Sequence, residues 1–156
     1  ASSTGYQWFD LMDQTPEQIL SKSLVAEIKL NKLIDEVKEK FKIKAKQIII
    51  GGFSQGCMIT LQTGIKRKDS INSIIGYSGR IINTDHLSKN IASKPNIILM
   101  HGDLDQVVTI ESYLEAKEFF KKKNYHIESK IFKNCEHRIP TEGSSIGLEF
   151  IKKNLY

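Results

Sequence analysis

The sequence predicts an α/β fold in which helices flank a mainly parallel sheet. Short isoleucine-rich runs, such as Gln47-Ile48-Ile49-Ile50-Gly51, lack the alternation of a half-exposed strand and fit strands that are covered on both faces. Segments with apolar residues at helical spacing lie between these runs. Strands that alternate with helices are typical of a parallel sheet, and sites in such sheets form at the carboxyl ends of the strands.

Length and composition predict one globular domain. The chain has 156 residues, of which 40% are hydrophobic and 26% are charged. This length suffices to bury a core, and the composition excludes a collagen, a coiled coil and a wholly disordered chain. No internal repeat or linker interrupts the sequence. We therefore expect a single domain over residues 1–156, with residues 1–7 flexible.

A long first helix is predicted from Pro16 to about residue 40. Thr15 suits the N-cap, Pro16 suits the first helical position, and Gln18 completes a capping box. The apolar residues that follow at helical spacing are Leu20, Leu24, Leu30, Ile34, Val37 and Phe41. They form a broad face, which predicts that this helix packs against the rest of the domain.

The remaining elements continue the alternation of strands and helices. Buried strands are predicted at residues 47–51, 73–77 and 96–100, and a last strand at residues 126–132. Helices are predicted from Gln55 to about Lys66, after Thr109 as a cap (carrying Ile110, Tyr113, Leu114, Ala116 and Phe120), and around residues 148–151. Each predicted strand is followed by a loop in which a functional residue can lie at the carboxyl edge of the sheet.

The charges of the chain argue against a nucleic-acid partner. The net charge is +5, but only three of the 23 basic residues are arginines, and the lysines are scattered among acidic residues. We interpret them as solvated helix faces. No run approaches the roughly 18 consecutive apolar residues of a membrane span, and the first residues lack the features of a signal peptide. We expect a cytoplasmic protein without an integral membrane segment.

The strongest motif is a G-x-S-x-G sequence, Gly52-Phe53-Ser54-Gln55-Gly56, between a predicted strand and a predicted helix. This context is typical of a nucleophile elbow, a tight turn that holds a serine hydroxyl above the sheet at the positive end of a helix. A glycine-rich structural turn is the alternative. The motif makes Ser54 the candidate nucleophile.

A serine nucleophile needs a base, and the base needs an orienting acid. Asp103 and Asp105 both follow the third predicted strand, and spacing alone does not decide between them. His137 follows the last predicted strand. The order Ser, Asp, His along the chain is that of a triad on a sheet of this kind.

The other histidines and both cysteines fit structural roles. His101 ends an apolar strand and is interpreted as a buried hydrogen-bonding residue, whereas His86 and His126 are expected at the surface. Cys57 is interpreted as a packing residue on the helix after Ser54, and Cys135 as a buried thiol that could alternatively be reactive. Two cysteines cannot build a disulfide scaffold, and no ligand spacing indicates a metal site.

The sequence resembles the carboxylesterase/phospholipase family of α/β-hydrolases, which includes acyl-protein thioesterases. The resemblance covers nearly the whole chain and rests on Trp8-Phe9-Asp10, Ile48 to Gly56, Ser78-Gly79, His101 to Val108, and His137. It implies the α/β-hydrolase fold and hydrolysis of carboxyl esters, lysophospholipids or thioesters of fatty-acylated proteins. It implies no cofactor. Substrates are accordingly expected to be small-molecule or lipid esters and thioesters, or acylated proteins.

The resemblance also assigns residues to roles. It implies the triad Ser54, Asp105 and His137, with the backbone N–H of Gln55 in the oxyanion hole. It further implies that Trp8 and Phe9 line the acyl pocket, although two aromatic residues before a helix are also typical of a core.

The sequence departs from the family at several positions near the motifs. Cys57, Arg80, Thr109 and Arg138 stand where other residue types are common. Arg80 and Arg138 suggest contact with an anionic or polar group of the substrate.

The largest departure is a missing motif. The His-Gly-x-Gly loop that supplies the second oxyanion donor has no counterpart before Trp8, so the chain is expected to be truncated by roughly 60 N-terminal residues relative to the family. The truncation should expose an edge of the strand before Ser54. A non-catalytic remnant or interaction module of the same fold is therefore the alternative to a serine hydrolase.

Overall fold

The computed structural model describes residues 6–156, in which helices and strands alternate. The helices are α1 (Pro16–Phe41), α2 (Gln55–Lys66), α3 (Thr84–Lys89), α4 (Ile110–Lys122) and α5 (Thr141–Leu155). The strands are β1 (Ile49–Phe53), β2 (Ser73–Tyr77), β3 (Asn96–Gly102) and β4 (Ile127–Phe132). The predicted α/β class is therefore confirmed. The flexibility expected at the N-terminus falls partly on residues 1–5, which lie outside the described residues.

The four strands form one parallel sheet in the order β1-β2-β3-β4. Gly52 of β1 pairs with Gly76 of β2, and the carboxyl ends of all four strands meet at one edge of the sheet. On one face, side chains from α1 to α4 pack with Ile74, Ile97 and Leu99. On the other face, Ile75, Ile98 and Met100 pack against α5. The loops at the carboxyl edge are thus held by a core on both faces of the sheet.

The start of α1 follows the sequence prediction. The Thr15 hydroxyl accepts a hydrogen bond from the Gln18 backbone N–H, and the Gln18 side chain accepts one from the Thr15 N–H. Pro16 occupies the first turn, where its missing N–H costs no hydrogen bond. Thr109 also occupies the N-cap position of α4, but its side chain makes no capping hydrogen bond to the helix.

The prediction for β1 was wrong in its burial and in its bounds. The strand begins at Ile49, because a 3₁₀ turn at Ala45–Gln47 precedes it, and it extends to Phe53. Gly51 and Phe53 are exposed. The physical reason is that, within residues 6–156, β1 is the outermost strand and pairs with β2 alone. Helix α3 was not predicted, since its six residues are too short for a periodic pattern.

His86 is not a simple surface residue as the sequence suggested. It is half-buried, and its Nε2 lies 3.0 Å from Nζ of Lys66, which also donates to the Glu27 carboxylate at 2.8 Å. An ammonium group can only donate, so the His86 ring is neutral and accepts this hydrogen bond. Burial lowers the pKa of His86, and the positive charge of Lys66 lowers it further against the opposing effect of Glu27.

The free energy of unfolding is expected to depend on the protonation of His86. Because its pKa in the folded protein lies below the ordinary value of about 6.5, the unfolded chain binds this proton first as the pH falls. Stability is therefore lost from about pH 6.5 downward until His86 is protonated in the folded protein. Urea unfolding between pH 8 and pH 5 should show a smaller loss in His86→Asn than in the wild type. Equal losses in both proteins would contradict this assignment, and His126→Asn, at an exposed histidine, is the matched control.

Within residues 6–156, no helix combines the length and the apolar character that crossing a bilayer requires.

Candidate active site

Ser54 stands in the sharp turn between β1 and α2. Its φ of 52° and ψ of −118° are unusual for a residue with a side chain, and such strain is common at functional sites. The Ser54 N–H donates to the Tyr77 carbonyl at 2.9 Å, which ties the turn to the end of β2. Ser54 is the N-cap of α2, but its hydroxyl does not cap the helix. The hydroxyl is therefore free to bond elsewhere.

The hydroxyl of Ser54 meets His137, which comes from the loop after β4. Oγ of Ser54 lies 3.0 Å from Nε2 of His137, and Nδ1 of His137 lies 2.7 Å from Oδ2 of Asp105. A carboxylate can only accept, so the proton of the ring is on Nδ1 and Nε2 is free to accept from Ser54. The ring of Phe53 packs against the imidazole with centroids 4.7 Å apart. Three side chains that are distant in sequence thus form one hydrogen-bonded chain.

Asp105 is held in the loop after β3 by several hydrogen bonds. Its Oδ1 accepts from the backbone N–H groups of Val107 and Val108, both at 2.9 Å. Burial raises the pKa of Asp105, but the hydrogen bonds from His137 and the two N–H groups outweigh this effect and hold the pKa below its ordinary value. The carboxylate therefore stays ionised beside His137.

Asp103, the alternative that the sequence left open, lies elsewhere. It is exposed, and its Oδ1 accepts a hydrogen bond of 3.3 Å from the Cys135 N–H. This contact joins the loop after β3 to the loop after β4, as does the hydrogen bond from the Leu104 N–H to the Cys135 carbonyl. The structure brings Asp105, and not Asp103, together with His137.

The buried residues around the site serve packing and loop geometry. His101 is only 1% exposed, and its Nε2 donates to the Val108 carbonyl at 2.7 Å, which confirms a buried hydrogen-bonding histidine. Cys57 packs beneath the turn, as expected, and burial raises the pKa of its thiol to about 12. Cys135 is buried as well. Among residues 6–156, no three His, Cys, Asp or Glu side chains come together as metal ligands.

The backbone N–H of Gln55 begins helix α2 directly after Ser54. The first N–H groups of a helix have no acceptor within the helix, and the helix dipole makes this end favourable for negative charge. This N–H can therefore stabilise an oxyanion that forms next to Ser54. The 156-residue sequence contains no His-Gly-x-Gly motif that would supply a second donor.

Ser54 lines one cavity, and His137 lines a second. The first, of about 400 Å³, has an uncharged lining made of Tyr6, Gln7, Trp8, Leu11, Phe53, Ser54, Gln55 and Gly56. The second, of about 300 Å³, is lined by Leu104, Gln106, Val107, Glu136, His137 and Arg138. The two cavities therefore differ in character, since only the second is lined by the charged side chains of an acid and a base, Glu136 and Arg138.

The other residues that the sequence suggested for the site lie in different parts of the structure. Trp8 lines the Ser54 cavity and is 40% exposed, whereas Phe9 is 8% exposed and packs in the core with α1 and α2. Arg138 lines the cavity beside His137. Arg80 lines a third cavity together with Asp85 and Glu115, and neither Ser54 nor His137 lines that cavity. The structure therefore does not bring Phe9 or Arg80 together with Ser54.

One contact was not anticipated from the sequence. The side-chain amide of Gln55 makes hydrogen bonds to the backbone of Trp8 and Phe9. Gln55 was a candidate only for its backbone N–H. A bond between a side chain and a backbone more than 40 residues away leaves no periodic signal in the sequence that could have revealed it.

Comparison with known proteins gives a consistent result over almost the whole chain. The sequence profile of the phospholipase/carboxylesterase family matches residues 2–155. Acyl-protein thioesterase 1 of Saccharomyces cerevisiae is 34% identical over 95% of this chain and 68% of its own length. Acyl-protein thioesterase 1 homolog 1 of Dictyostelium discoideum is 28% identical over 95% of this chain and 67% of its own length. The chain thus spans about two thirds of the length of these relatives.

Solved structures give the same picture for the fold. The crystal structure of esterase PE8 superposes with a TM-score of 0.90 at 29% identity, covering 97% of this chain and 71% of that one. The crystal structure of acyl-protein thioesterase 2 of Zea mays superposes with a TM-score of 0.78 at 18% identity, covering 96% of this chain and 72% of that one. At 18% identity the likeness to the maize protein concerns the fold alone.

Proposed function

The chain belongs to the phospholipase/carboxylesterase family and has its α/β-hydrolase fold, and we propose that it is a serine hydrolase of carboxylic esters or thioesters. The single observation that carries the proposal is the hydrogen-bonded chain from Ser54 through His137 to Asp105, with distances of 3.0 and 2.7 Å. A hydroxyl, an imidazole and a carboxylate in this order are the parts that nucleophilic acyl transfer needs.

In the proposed first half-reaction, the Ser54 oxygen attacks the carbonyl carbon of the substrate while Nε2 of His137 takes the hydroxyl proton. Asp105 keeps the imidazole in the required tautomer and stabilises its positive charge. The carbonyl oxygen becomes an oxyanion, which accepts a hydrogen bond from the Gln55 N–H. When the tetrahedral intermediate collapses, the bond to the alcohol or thiol breaks and His137 returns its proton to this leaving group.

The second half-reaction releases the acyl group from Ser54. A water molecule attacks the acyl-enzyme carbonyl, and His137 takes a proton from this water. Collapse of the second tetrahedral intermediate breaks the bond to Ser54, whose oxygen regains the proton. The products are a carboxylic acid and the free enzyme, and the cycle needs no cofactor.

The lining of the Ser54 cavity supports an acyl group with an apolar chain. Trp8, Leu11 and Phe53 contribute apolar surface, and none of the eight lining residues is charged. Two relatives are named acyl-protein thioesterases and one solved structure is an esterase. We therefore propose lipid or small-molecule esters and thioesters as substrates, including acyl groups on proteins. A cytoplasmic location stays a prediction from the sequence, which fractionation of the native cells would test.

A non-catalytic module of the same fold is the second candidate. The observation that favours it is that, within residues 6–156, the Gln55 N–H is the oxyanion donor that we identify beside Ser54, and a site that works without a second donor is slower by roughly a hundredfold to a thousandfold. The two candidates make opposite predictions about the reactivity of Ser54.

A fluorophosphonate probe distinguishes the two candidates. If the chain is a serine hydrolase, the probe should phosphonylate Ser54, and mass spectrometry of the digested protein should find the label on the peptide that contains it. The label requires an activated hydroxyl, so ordinary surface serines do not react. Hydrolysis of p-nitrophenyl esters by the same preparation should be lost as the probe reacts.

Two variants complete this experiment. Ser54→Ala should abolish both labelling and hydrolysis, while Ser145→Ala, at an exposed serine of α5, should leave both as in the wild type. Folded wild-type protein that neither reacts with the probe nor hydrolyses the esters would refute the hydrolase and support the non-catalytic module.

A further inference from the structure

The side chain of Gln55 bonds to a segment at the start of the described chain. Its Oε1 accepts a hydrogen bond from the Trp8 N–H, and its Nε2 donates one to the Phe9 carbonyl, both at 2.6 Å. One amide thus satisfies a donor and an acceptor of adjacent residues, as a neighbouring strand would. The bonds join residues that are 46 and 47 positions apart.

These two hydrogen bonds attach the segment 6–12 to the start of α2. Within residues 6–156, the only other hydrogen bond that leaves the segment is a local one, from the Gln14 side chain to the Met12 carbonyl, since the Met12 N–H bonds to Asp10 within the segment. The other anchor is the side chain of Phe9, which is buried in the core. Residues 6–8 and 10–12 are all exposed. Gln55 and Phe9 together therefore hold the segment in place.

The segment forms one wall of the Ser54 cavity. Tyr6, Gln7, Trp8 and Leu11 supply half of the eight lining residues, and the turn at Phe53 to Gly56 supplies the other half. The Gln55 amide is the hydrogen-bonded link between these two walls. Removing it would let the apolar wall move away from the reacting serine.

We propose that the Gln55 side chain is a positioning residue that sets the acyl-chain preference of the enzyme by clamping the segment 6–12 beside Ser54. The inference rests on the proposed hydrolase function. One residue then serves both parts of the acyl group, because its backbone N–H faces the carbonyl oxygen and its side chain holds the wall that contacts the chain. A long acyl chain gains from a fixed wall, whereas an acetyl group does not reach it.

Trp8 provides a direct reporter, because it is the only tryptophan of the chain. In Gln55→Leu, which removes both hydrogen bonds, Trp8 emission excited at 295 nm should shift to the red and acrylamide should quench it more strongly. Gln55→Glu keeps the acceptor for the Trp8 N–H but places a carboxylate against the Phe9 carbonyl, so it should show the same changes. This second variant keeps the test valid if Gln55→Leu does not fold.

The acyl preference gives the second readout. The ratio of kcat/KM for p-nitrophenyl octanoate to that for p-nitrophenyl acetate should fall on the order of tenfold in Gln55→Leu, since this variant loses both hydrogen bonds that hold the wall. Octanoate, used as a non-reacting probe, should perturb Trp8 emission in the wild type at lower concentration than in the variant.

Gln62→Leu is the matched control on the same helix. Gln62 bonds to Ser23 and Glu27 in the core and is not part of the cavity, so this variant should lower stability without changing Trp8 emission or the acyl preference. A Trp8 signal that is unchanged in both Gln55 variants would refute the clamp. A released Trp8 with an unchanged acyl preference and unchanged octanoate binding would refute its role in specificity. Fluorescence and octanoate binding need no hydrolysis, so an inactive wild type would refute the proposed function and leave the clamp tested separately.

Discussion

Asp105→Asn is expected to lower kcat for p-nitrophenyl ester hydrolysis by about 10⁴-fold while leaving the fold intact. The substitution changes one oxygen of a buried side chain to an amide nitrogen and adds no bulk. Its effect comes from the direction of a single hydrogen bond. Steady-state kinetics with the wild type and the variant at the same pH measure it.

The surrounding backbone decides which atom of the new asparagine faces His137. The N–H groups of Val107 and Val108 both donate to Oδ1 of Asp105, so the amide oxygen must stay there to accept them. The amide nitrogen then takes the place of Oδ2, 2.7 Å from Nδ1 of His137, and donates to it. The ring proton moves to Nε2, which can no longer accept the proton of Ser54. The variant thus holds the base in the wrong tautomer.

Asp103→Asn is the control for this prediction. Asp103 is exposed, and among the described hydrogen bonds its side chain accepts only the one from the Cys135 N–H, so its amide variant should keep kcat within about twofold of the wild type. A large loss in Asp103→Asn with near-normal activity in Asp105→Asn would contradict the assignment of the acid.

Local sequence patterns predicted the elements that position the site. The capping box at Thr15 and Gln18, the bounds of β2 and the position of α2 depend on neighbouring residues, and all three agree with the structure. The position of Ser54 between β1 and α2 was predictable for the same reason, because a tight strand-to-helix turn requires glycines at fixed offsets.

Features that depend on tertiary contacts could not be predicted in this way. The burial of β1 depends on its place at the side of the sheet, and the half-burial of His86 depends on Lys66 of another helix. Spacing alone left Asp103 and Asp105 equivalent, and only the resemblance to the family favoured Asp105, whose carboxylate reaches His137 in the structure. The Gln55 clamp joins two distant segments. The G-x-S-x-G motif did draw attention to Gln55, but for its backbone N–H and not for the side-chain amide that makes these bonds.

Gly52→Ala is expected to disturb both stability and catalysis, because Gly52 of β1 lies directly against the backbone of the first turn of α2. A Cβ at Gly52 would stand 2.3 Å from the carbonyl carbon and oxygen of Gly56 and 2.5 Å from the backbone nitrogen of Cys57. These are backbone atoms of the first turn of α2, so no side-chain rotation can relieve the clash. The helix start must move away from the strand.

Overpacking of this kind costs about 1–3 kcal/mol, which should lower the Tm of a domain of this size by roughly 2–10 °C. Gly56→Ala is the matched control for stability, because a Cβ at Gly56 meets no heavy atom within 4 Å and alanine is the better helix former. Its Tm should equal or exceed that of the wild type. Thermal unfolding followed by circular dichroism compares the three proteins, and an unchanged Tm in Gly52→Ala would contradict the close contact.

The catalytic loss in Gly52→Ala should exceed what unfolding explains. Ser54 lies between the two elements that are forced apart, and a displacement of about 1 Å of a reacting group can cost on the order of a hundredfold in rate. Measured well below the Tm of the variant, both kcat/KM and the rate of fluorophosphonate labelling should fall together, because both depend on the distance from Ser54 to His137. If labelling persisted at the wild-type rate while ester hydrolysis fell, the defect would lie in substrate binding, and the strand-to-helix contact would not be what positions the nucleophile.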